Sequence, residues 1–211
     1  MSLKYYKKIN SPVGPLTLVS DGEFLLEVRF DVDDSSQKKI ESDRRFSLSK
    51  AKTKVNSFAK NFFIQTNKSC AVLEATEKQL VEYFSGERQS FDLPIRLVGT
   101  DFQLKVWRAL KTLKFGKTCS YQSIALKIKN PKAVRAVGGT IGKNPLGIII
   151  PCHRVIGKSG TLTGFAGGLH AKKLLLANEQ IPGHSFTKSA VPTMRYDSHR
   201  SKSNNTDIQI I

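Results

Sequence analysis

Acidic residues are almost absent from the middle of this chain, although its 211 residues together carry a net charge of +17. Residues 94–183 contain 15 Lys or Arg but only two acids, Asp101 and Glu179. By contrast, residues 1–93 hold 15 basic and 13 acidic side chains, and residues 184–211 hold four and two. Such an imbalance predicts a polyanionic partner for the middle segment, and nucleic acid is the leading candidate.

Cysteine is also scarce. The three cysteines, Cys70, Cys119 and Cys152, form no CxxC pair and no pattern of Cys and His with the spacing of a zinc site. We therefore expect reduced thiols in an intracellular protein, with no bound metal.

Long apolar runs are missing too, and the N-terminal Met-Ser-Leu-Lys-Tyr-Tyr-Lys-Lys lacks the apolar core of a signal peptide. A membrane helix needs about 20 consecutive apolar residues. We therefore expect neither secretion nor a membrane partner.

The apolar content of 39% suffices for one or two small globular domains. Apolar runs separated by turn residues predict three strands, over residues 5–9, 16–19 and 24–30. Asp21-Gly22 is typical of a hairpin turn, so this half begins as an antiparallel sheet. Two helices are predicted to follow, around Lys52–Phe63 and over Leu73–Phe84, the second ending at Gly86.

Three helices are predicted in the basic segment. Thr100 and Gln103 fit a capping box, which opens a helix that ends at Phe115-Gly116. Ser120 caps a shorter helix, and Asn130-Pro131 starts another that extends over residues 132–142. The last two together resemble a helix-turn-helix. The helix over residues 132–142 is rich in small residues, which indicates either close packing against another helix or close approach of its backbone to DNA.

The segment around Cys152 contains a possible nucleophile. Three consecutive β-branched residues, 148–150, predict a buried strand that Pro151 ends, which places Cys152 at the edge of a rigid element. A neighbouring His or positive charge lowers the pKa of a thiol from about 8.5, and His153 and Arg154 follow directly. A buried cysteine can also be an ordinary small apolar residue, and the spacing alone does not decide.

Several motifs follow one another over residues 121–179. They are Tyr121-Gln122, Asn-Pro-Lys-Ala-Val-Arg-Ala-Val-Gly-Gly at 130–139, Asn144-Pro145, Ile-Pro-Cys-His-Arg-Val at 150–155, Gly-Phe-Ala-Gly-Gly at 164–168 and Leu-Leu-Leu-Ala-Asn-Glu at 174–179. In order and spacing they resemble the methylated-DNA–protein-cysteine methyltransferases, also called 6-O-alkylguanine-DNA alkyltransferases. A looser resemblance extends over residues 9–30 and 78–108.

The resemblance implies an α/β (α+β) fold in two parts. Residues 1–93 would form a small domain with an antiparallel sheet and a helix, and residues 94–183 a mostly helical domain for DNA binding and alkyl transfer. Residues 184–211 are polar and basic, and we expect a disordered tail. The protein would act in the nucleus if the cell is eukaryotic and otherwise in the cytoplasm.

The same resemblance implies the chemistry. Cys152 would accept a methyl or other alkyl group from 6-O-alkylguanine in double-stranded DNA, once and irreversibly, as a monomer without a cofactor. His153 would take the thiol proton through a water, and Glu179 would orient His153. Tyr121 would supply a proton to the leaving base. Asn144 would tie the recognition helix, which is the second helix of the helix-turn-helix (132–142), to the active-site segment around Cys152.

The resemblance also assigns the DNA-contacting and pocket residues. The recognition helix would enter the minor groove, and Arg135 would fill the space of a flipped nucleotide. The other DNA contacts would be Gln122, Asn130, Ala136, Gly138 and Gly139, and the pocket would include Val155, Phe165 and Ala166. The family often has Tyr where this chain has Phe165 and Pro where it has Gly147. The missing proline should leave more room beside the alkyl group.

Three other functions remain open. The first is a non-catalytic protein of the same fold that binds alkylated lesions, although that class replaces the acceptor cysteine. The second is a Cys-His hydrolase, which would have no use for the basic helix-turn-helix. The third is a general DNA-binding module, which explains the charge but not the Pro-Cys-His motif.

Overall fold

A computed structural model describes residues 4–31, 63–64 and 70–182 of the chain. Its N-terminal half is built on a four-stranded sheet. The strands are β1 (Lys4–Ile9), β2 (Leu16–Ser20), β3 (Leu25–Phe30) and β4 (Phe63–Ile64). Their order is β3-β2-β1-β4, with β1, β2 and β3 antiparallel in turn and β4 parallel to β1. The predicted hairpin is confirmed, because Gly22 takes a left-handed φ of 97° between β2 and β3.

Helix α1 (Ala71–Phe84) packs against β1, β2 and β3 and buries Leu73, Leu80 and Phe84. It ends before Gly86, which has a φ of 83°, as predicted. The other predicted helix, around Lys52–Phe63, lies outside the described residues except for Phe63. That residue begins strand β4, so the helix prediction is wrong at Phe63, where the backbone pairs with β1 instead.

The C-terminal half is mostly helical. Its elements are α2 (Asp101–Lys111), β5 (Cys119–Ser120), α3 (Tyr121–Lys127), α4 (Val134–Ile141), a 3-10 turn (Cys152–Arg154), β6 (Val155–Ile156) and α5 (Gly168–Asn178). Within the described parts of the chain, no helix is long and apolar enough to cross a membrane. The predicted tail, 184–211, lies outside these parts, and the domain boundaries remain a prediction.

Helix α2 begins as predicted but ends early. Thr100 Oγ1 accepts from Gln103 N, and Gln103 Oε1 accepts from Thr100 N, which confirms the capping box. The helix ends at Lys111, because Thr112 and Leu113 donate their backbone N–H to carbonyls only three residues back. The predicted end at Phe115-Gly116 is therefore wrong. The apolar spacing continued to Leu113, which packs against the core from outside the helix.

Helix α3 follows its predicted cap, since Ser120 Oγ accepts from Ser123 N. Helix α4 begins at Val134, three residues after the predicted start at Pro131. The carbonyl of Asn130 instead accepts from Ala133 N and closes a separate turn, so Asn130 is not the helix cap. A helix-turn-helix is nevertheless formed, because α3 and α4 contact each other and α2.

The three isoleucines at 148–150 are buried, but they do not form the predicted strand. Ile148 has a left-handed φ of 68°, and the amides of Ile149 and Ile150 bond to Gly147 and Leu146 in successive turns. An apolar run shows that residues are buried, but a tight turn surrounded by core buries them as well as a strand does. A β-branched residue with a positive φ is strained, so neighbouring contacts must hold this turn.

Strand β3 connects the two halves. Val28 N donates to the Pro145 carbonyl at 2.8 Å, and Gly147 N donates to the Val28 carbonyl at 3.1 Å. On the same strand, Leu25 exchanges backbone hydrogen bonds with the Pro94–Arg96 segment. The sheet is therefore bonded directly to the segment that precedes Cys152.

Candidate active site

Cys152 begins the 3-10 turn, is only 6% exposed and lines a cleft of about 200 Å³. Three parts of the chain form the walls: strand β3, the segment after α4, and loop 164–166. The lining residues are Val28, Arg29, Phe30, Ile141, Gly142, Asn144, Gly147, Cys152, Gly164, Phe165 and Ala166. The cleft thus brings predicted residues together with residues of the N-terminal half.

Asn144 holds the strained turn and the thiol at once. Its Nδ2 donates to the Ile150 carbonyl at 2.8 Å, to the Leu146 carbonyl at 3.3 Å and to Cys152 Sγ at 3.2 Å. Its Oδ1 accepts from Leu146 N at 3.1 Å. Asn144 lies three residues after the end of α4, so the predicted link between the recognition helix and the active-site segment has a physical basis in these bonds.

His153 and Glu179 form a buried pair. His153 Nε2 lies 2.8 Å from Glu179 Oε1, and both side chains are fully buried. An ionised carboxylate can only accept, so Nε2 carries the hydrogen and Nδ1 of the neutral ring is free to accept a proton. Nδ1 is buried and makes no hydrogen bond within the described part of the chain.

Glu179 receives more donors than His153 alone. Arg154 binds both of its oxygens, with Nε 2.8 Å from Oε2 and Nη2 2.8 Å from Oε1. The Tyr83 hydroxyl donates to Oε1 at 2.8 Å, and Gly116 N donates to Oε2 at 3.2 Å. Although burial opposes ionisation, the bonds from His153 and Arg154 and their charges lower the pKa of Glu179 to about 2.

The site is uncharged at the thiol in its resting state. Burial raises the pKa of Cys152, against the hydrogen bond from Asn144 and the charge of Lys172. Burial likewise lowers the pKa of His153, against the effect of Glu179. At neutral pH the Cys152 thiol and the His153 imidazole are therefore both uncharged. The charge of Arg154, which the sequence placed near the thiol, is instead neutralised by Glu179.

Lys172 is a buried cation that the sequence did not single out. It lies on α5, and its Nζ donates to the carbonyls of Val155 at 2.7 Å and Thr163 at 3.2 Å. Burial lowers its pKa to about 8, and the negative charge of a Cys152 thiolate would raise it. Lys172 therefore ties β6 to the start of the 164–168 loop. Val155 was predicted to be a pocket residue, and its carbonyl accepts this bond from Lys172.

The other predicted pocket residues divide into two groups. Phe165 and Ala166 line the cleft, whereas the side chain of Val155 is buried in the core. The Tyr121 hydroxyl lies 2.8 Å from Thr163 Oγ1, which places it against the same loop. The Tyr121 ring also lies beside α4, since a Cβ on Gly138 would be 3.7 Å from it.

The predicted DNA-contacting residues lie on the outer side of the helix-turn-helix. Arg135, Ala136 and Gly139 are exposed on α4, and Gly138 is half-buried. On α3, Gln122 is exposed and its Nε2 bonds to the Pro131 carbonyl at 3.3 Å. Asn130 is exposed in the turn between the helices. Together these residues give a surface with small side chains and a projecting arginine.

Three contributors to the site were missed from the sequence: Tyr83, Lys172 and Phe30. Tyr83 reaches Glu179 across 96 residues of chain, so no local pattern could have paired them. Arg154, two residues after Cys152, was noted as a nearby positive charge, but its partner Glu179 was not predicted. For Lys172 the sequence offered one signal, because it is a cation within an apolar helix. The structure buries it together with the leucines of that helix.

Comparisons with known proteins agree with this geometry. Residues 4–97 match the 6-O-methylguanine DNA methyltransferase ribonuclease-like domain, and residues 101–181 match the DNA binding domain of the same family. A methylated-DNA–protein-cysteine methyltransferase of Haemophilus influenzae is 39% identical over 183 residues, which cover 86% of this chain and 89% of the relative. One from Methanosarcina acetivorans is 42% identical over 177 residues, 83% of this chain and 97% of the relative.

Solved structures give the same result. The crystal structure of Mycobacterium tuberculosis OGT in complex with DNA has a TM-score of 0.66 and 37% identity, covering 85% of this chain and 96% of that one. The fold and the site thus define an α/β protein with a DNA-binding domain and a buried cysteine. The chain belongs to the 6-O-methylguanine DNA methyltransferase family. The predictions of family, fold class and a DNA-binding methyltransferase are thereby confirmed.

Proposed function

We propose that this protein repairs double-stranded DNA by moving a methyl or other alkyl group from O6 of guanine to Cys152. The observation that carries the proposal is the setting of the thiol, which lines the cleft and accepts a hydrogen bond from Asn144 at 3.2 Å. The names of the relatives from Haemophilus influenzae and Methanosarcina acetivorans support the same reaction. The protein acts as a monomer.

The transfer is a displacement at the alkyl carbon. His153 Nδ1 takes the thiol proton through a bridging water, the sulfur forms a bond to the alkyl carbon, and the bond between that carbon and guanine O6 breaks. Guanine leaves with the electron pair and takes up a proton, which the Tyr121 hydroxyl supplies. Glu179 holds the His153 ring and stabilises the imidazolium while it exists.

The reaction occurs once per molecule. The product is a thioether at Cys152, and a carbon–sulfur bond of this kind has no route back to the thiol within the site. The cleft holds no second cysteine among the residues that line it, so no other thiol can accept the group.

DNA is held by the outer surface of the helix-turn-helix. The target oxygen lies inside the duplex, so the nucleotide must be extruded at a cost of a few kcal/mol. The small residues Ala136 and Gly139 on α4 let its backbone approach the minor groove, and Arg135 fills the space that the base leaves. The excess of positive charge in residues 94–183 supports phosphate binding in any sequence.

The first prediction concerns stoichiometry. After incubation with a duplex that contains O6-methylguanine, intact-mass measurement should show one added methyl group per protein, which peptide mapping should place on Cys152. Cys152→Ser should show no added mass and should still bind the duplex. Methyl groups released in excess of the protein would contradict the proposal, and binding without any transfer would favour the non-catalytic lesion binder.

The second prediction concerns Arg135. Because base extrusion costs a few kcal/mol, Arg135→Ala should slow methyl transfer from the duplex by about tenfold or more. Transfer from the free base O6-methylguanine should hardly change, since nothing is extruded. Lys132→Ala is the matched control, because Lys132 is an exposed basic residue just before α4. It should weaken DNA binding, but at saturating duplex it should leave the ratio of the two rates unchanged. Equal slowing of both reactions by Arg135→Ala would show that Arg135 does not act in extrusion.

A further inference from the structure

Phe30 is the last residue of strand β3, and its ring reaches the cleft from the N-terminal half. The strand is fixed there by the two backbone hydrogen bonds that join Val28 to Pro145 and Gly147. The ring is therefore carried by a rigid element and not by loop 164–166, which forms another wall of the cleft. Nothing in the local sequence predicts this position.

The Phe30 ring fills the space beside Gly147. A Cβ added to Gly147 would lie 2.6 Å from Phe30 Cε2, which is closer than any such contact in a folded protein. The sequence predicted that the absence of a proline at 147 leaves more room beside the alkyl group. That expectation is wrong, because the ring of Phe30 occupies the room.

Phe30 also contacts the loop on the other side of the cleft. Its ring packs edge to face with Phe165, with the centroids 5.1 Å apart and the planes at 66°. A Cβ on Gly167 would lie 2.6 Å from Phe30 Cδ1, so this glycine too makes room for the ring. Both glycines and Phe165 thus fit the shape of Phe30.

We propose that Phe30 sets the size of the alkyl group that can reach Cys152. The two phenyl rings and Cys152 line the same cleft, so an alkyl group directed at the thiol must fit beside them. Phe30 is fixed by the sheet and held between two glycines, so it cannot move aside without breaking those contacts. The ring admits a methyl group and restricts a benzyl group. This inference rests on the proposed transfer to Cys152.

The test compares two free bases, O6-methylguanine and O6-benzylguanine, as alkyl donors, with the rate of Cys152 modification followed by intact mass. A hydrophobic pocket discriminates by about 10–200-fold for each methylene that it excludes. Phe30→Ala should therefore raise the ratio of the benzyl rate to the methyl rate by about tenfold or more. Phe30→Leu, which keeps an apolar side chain and perturbs the fold less, should raise the ratio by a smaller factor.

Phe24→Ala is the matched control. Phe24 is a half-buried phenylalanine of the same half whose ring contacts Arg96, and it does not line the cleft. Its removal should leave the ratio unchanged. A ratio that stays constant or falls in both folded Phe30 variants would overturn the role of Phe30 while leaving alkyl transfer intact. A wild-type protein that accepts neither group, whether from the free base or from a duplex that carries it, would overturn the proposed function itself.

Discussion

Glu179→Gln should lower the free energy of unfolding by about 3–5 kcal/mol at neutral pH, because it removes one partner of a buried ion pair. Glu179 is 2% exposed and Arg154 is 5% exposed, so neither charge can be compensated by water. In the variant, the Arg154 guanidinium would keep only neutral acceptors, among them the Leu113 carbonyl at 2.6 Å. Urea unfolding measured at pH 7 tests this value.

A glutamine cannot replace the carboxylate here, even though its shape is nearly the same. The two oxygens of Glu179 accept from Tyr83, His153, Arg154 and Gly116, and all of these groups are donors. One end of the glutamine amide would present its own hydrogens to them, which leaves buried donors unpaired.

The same variant should change how stability depends on pH. The pKa of Glu179 is lowered from 4.5 to about 2 in the folded protein, so its contribution is complete above pH 5. As the pH falls from about 5 to about 2, the unfolded chain takes up a proton before the folded protein does. The free energy of unfolding thereby falls by about 3 kcal/mol. The difference between wild type and Glu179→Gln should therefore be greatest above pH 5 and shrink towards pH 2. If the stabilities of the two proteins changed in parallel with pH, the lowered pKa would not belong to Glu179.

Alkyl transfer should slow as well. The charge of Glu179 and its hydrogen bond raise the pKa of His153, so the variant leaves a weaker base. General-base catalysis contributes about 10²–10⁴-fold, and we expect a loss of about 10–100-fold because the ring position is partly kept. Glu82→Gln is the matched control: Glu82 pairs with Arg88 at 2.7 Å, but both side chains are about a quarter exposed. Glu82→Gln should lower the free energy of unfolding by less than about 1 kcal/mol and leave the transfer rate unchanged.

The parts of the fold that the sequence predicted correctly depend on neighbours along the chain. Thr100 and Gln103 bond to each other three residues apart, and Gly22 supplies a turn that few other residues allow. Such contacts leave a local pattern. The motif around Cys152 was informative for another reason, because the resemblance of residues 121–179 to a known family identified it as a unit.

The parts that were missed depend on contacts across the chain. The three isoleucines at 148–150 are buried by β3 and the surrounding core, so their turn could not be distinguished from a strand by their apolarity. Phe30 meets Phe165 from the other half, and Tyr83 meets Glu179 across 96 residues. The charge of Arg154 was visible, but its neutralisation by Glu179 required the fold. Only the assembled core decides which cation acts on the thiol.

Asn144 is the side chain through which that core acts on Cys152 directly. Asn144→Asp should slow methyl transfer at neutral pH by about 10²–10³-fold, the usual effect of losing one donor to a developing anion. The hydrogen bond from the Asn144 side-chain amide lowers the pKa of Cys152. Its loss therefore raises that pKa and reduces the thiolate fraction at a fixed pH. The aspartate keeps an acceptor for Leu146 N but adds a negative charge beside the sulfur.

The pH dependence of this variant separates an electrostatic role from a structural one. If Asn144 stabilises the thiolate, transfer from free O6-methylguanine should recover as the pH rises through the raised pKa of Cys152, and iodoacetamide should alkylate the thiol with the same shifted profile. Asn178→Asp is the matched control, because Asn178 is also half-buried and its Nδ2 bonds to the Tyr83 carbonyl at 3.0 Å. It should leave the thiol profile unchanged. A folded Asn144→Asp protein with the wild-type profile would mean that Asn144 only supports the strained turn at Ile148, and that burial and Lys172 alone govern the thiol.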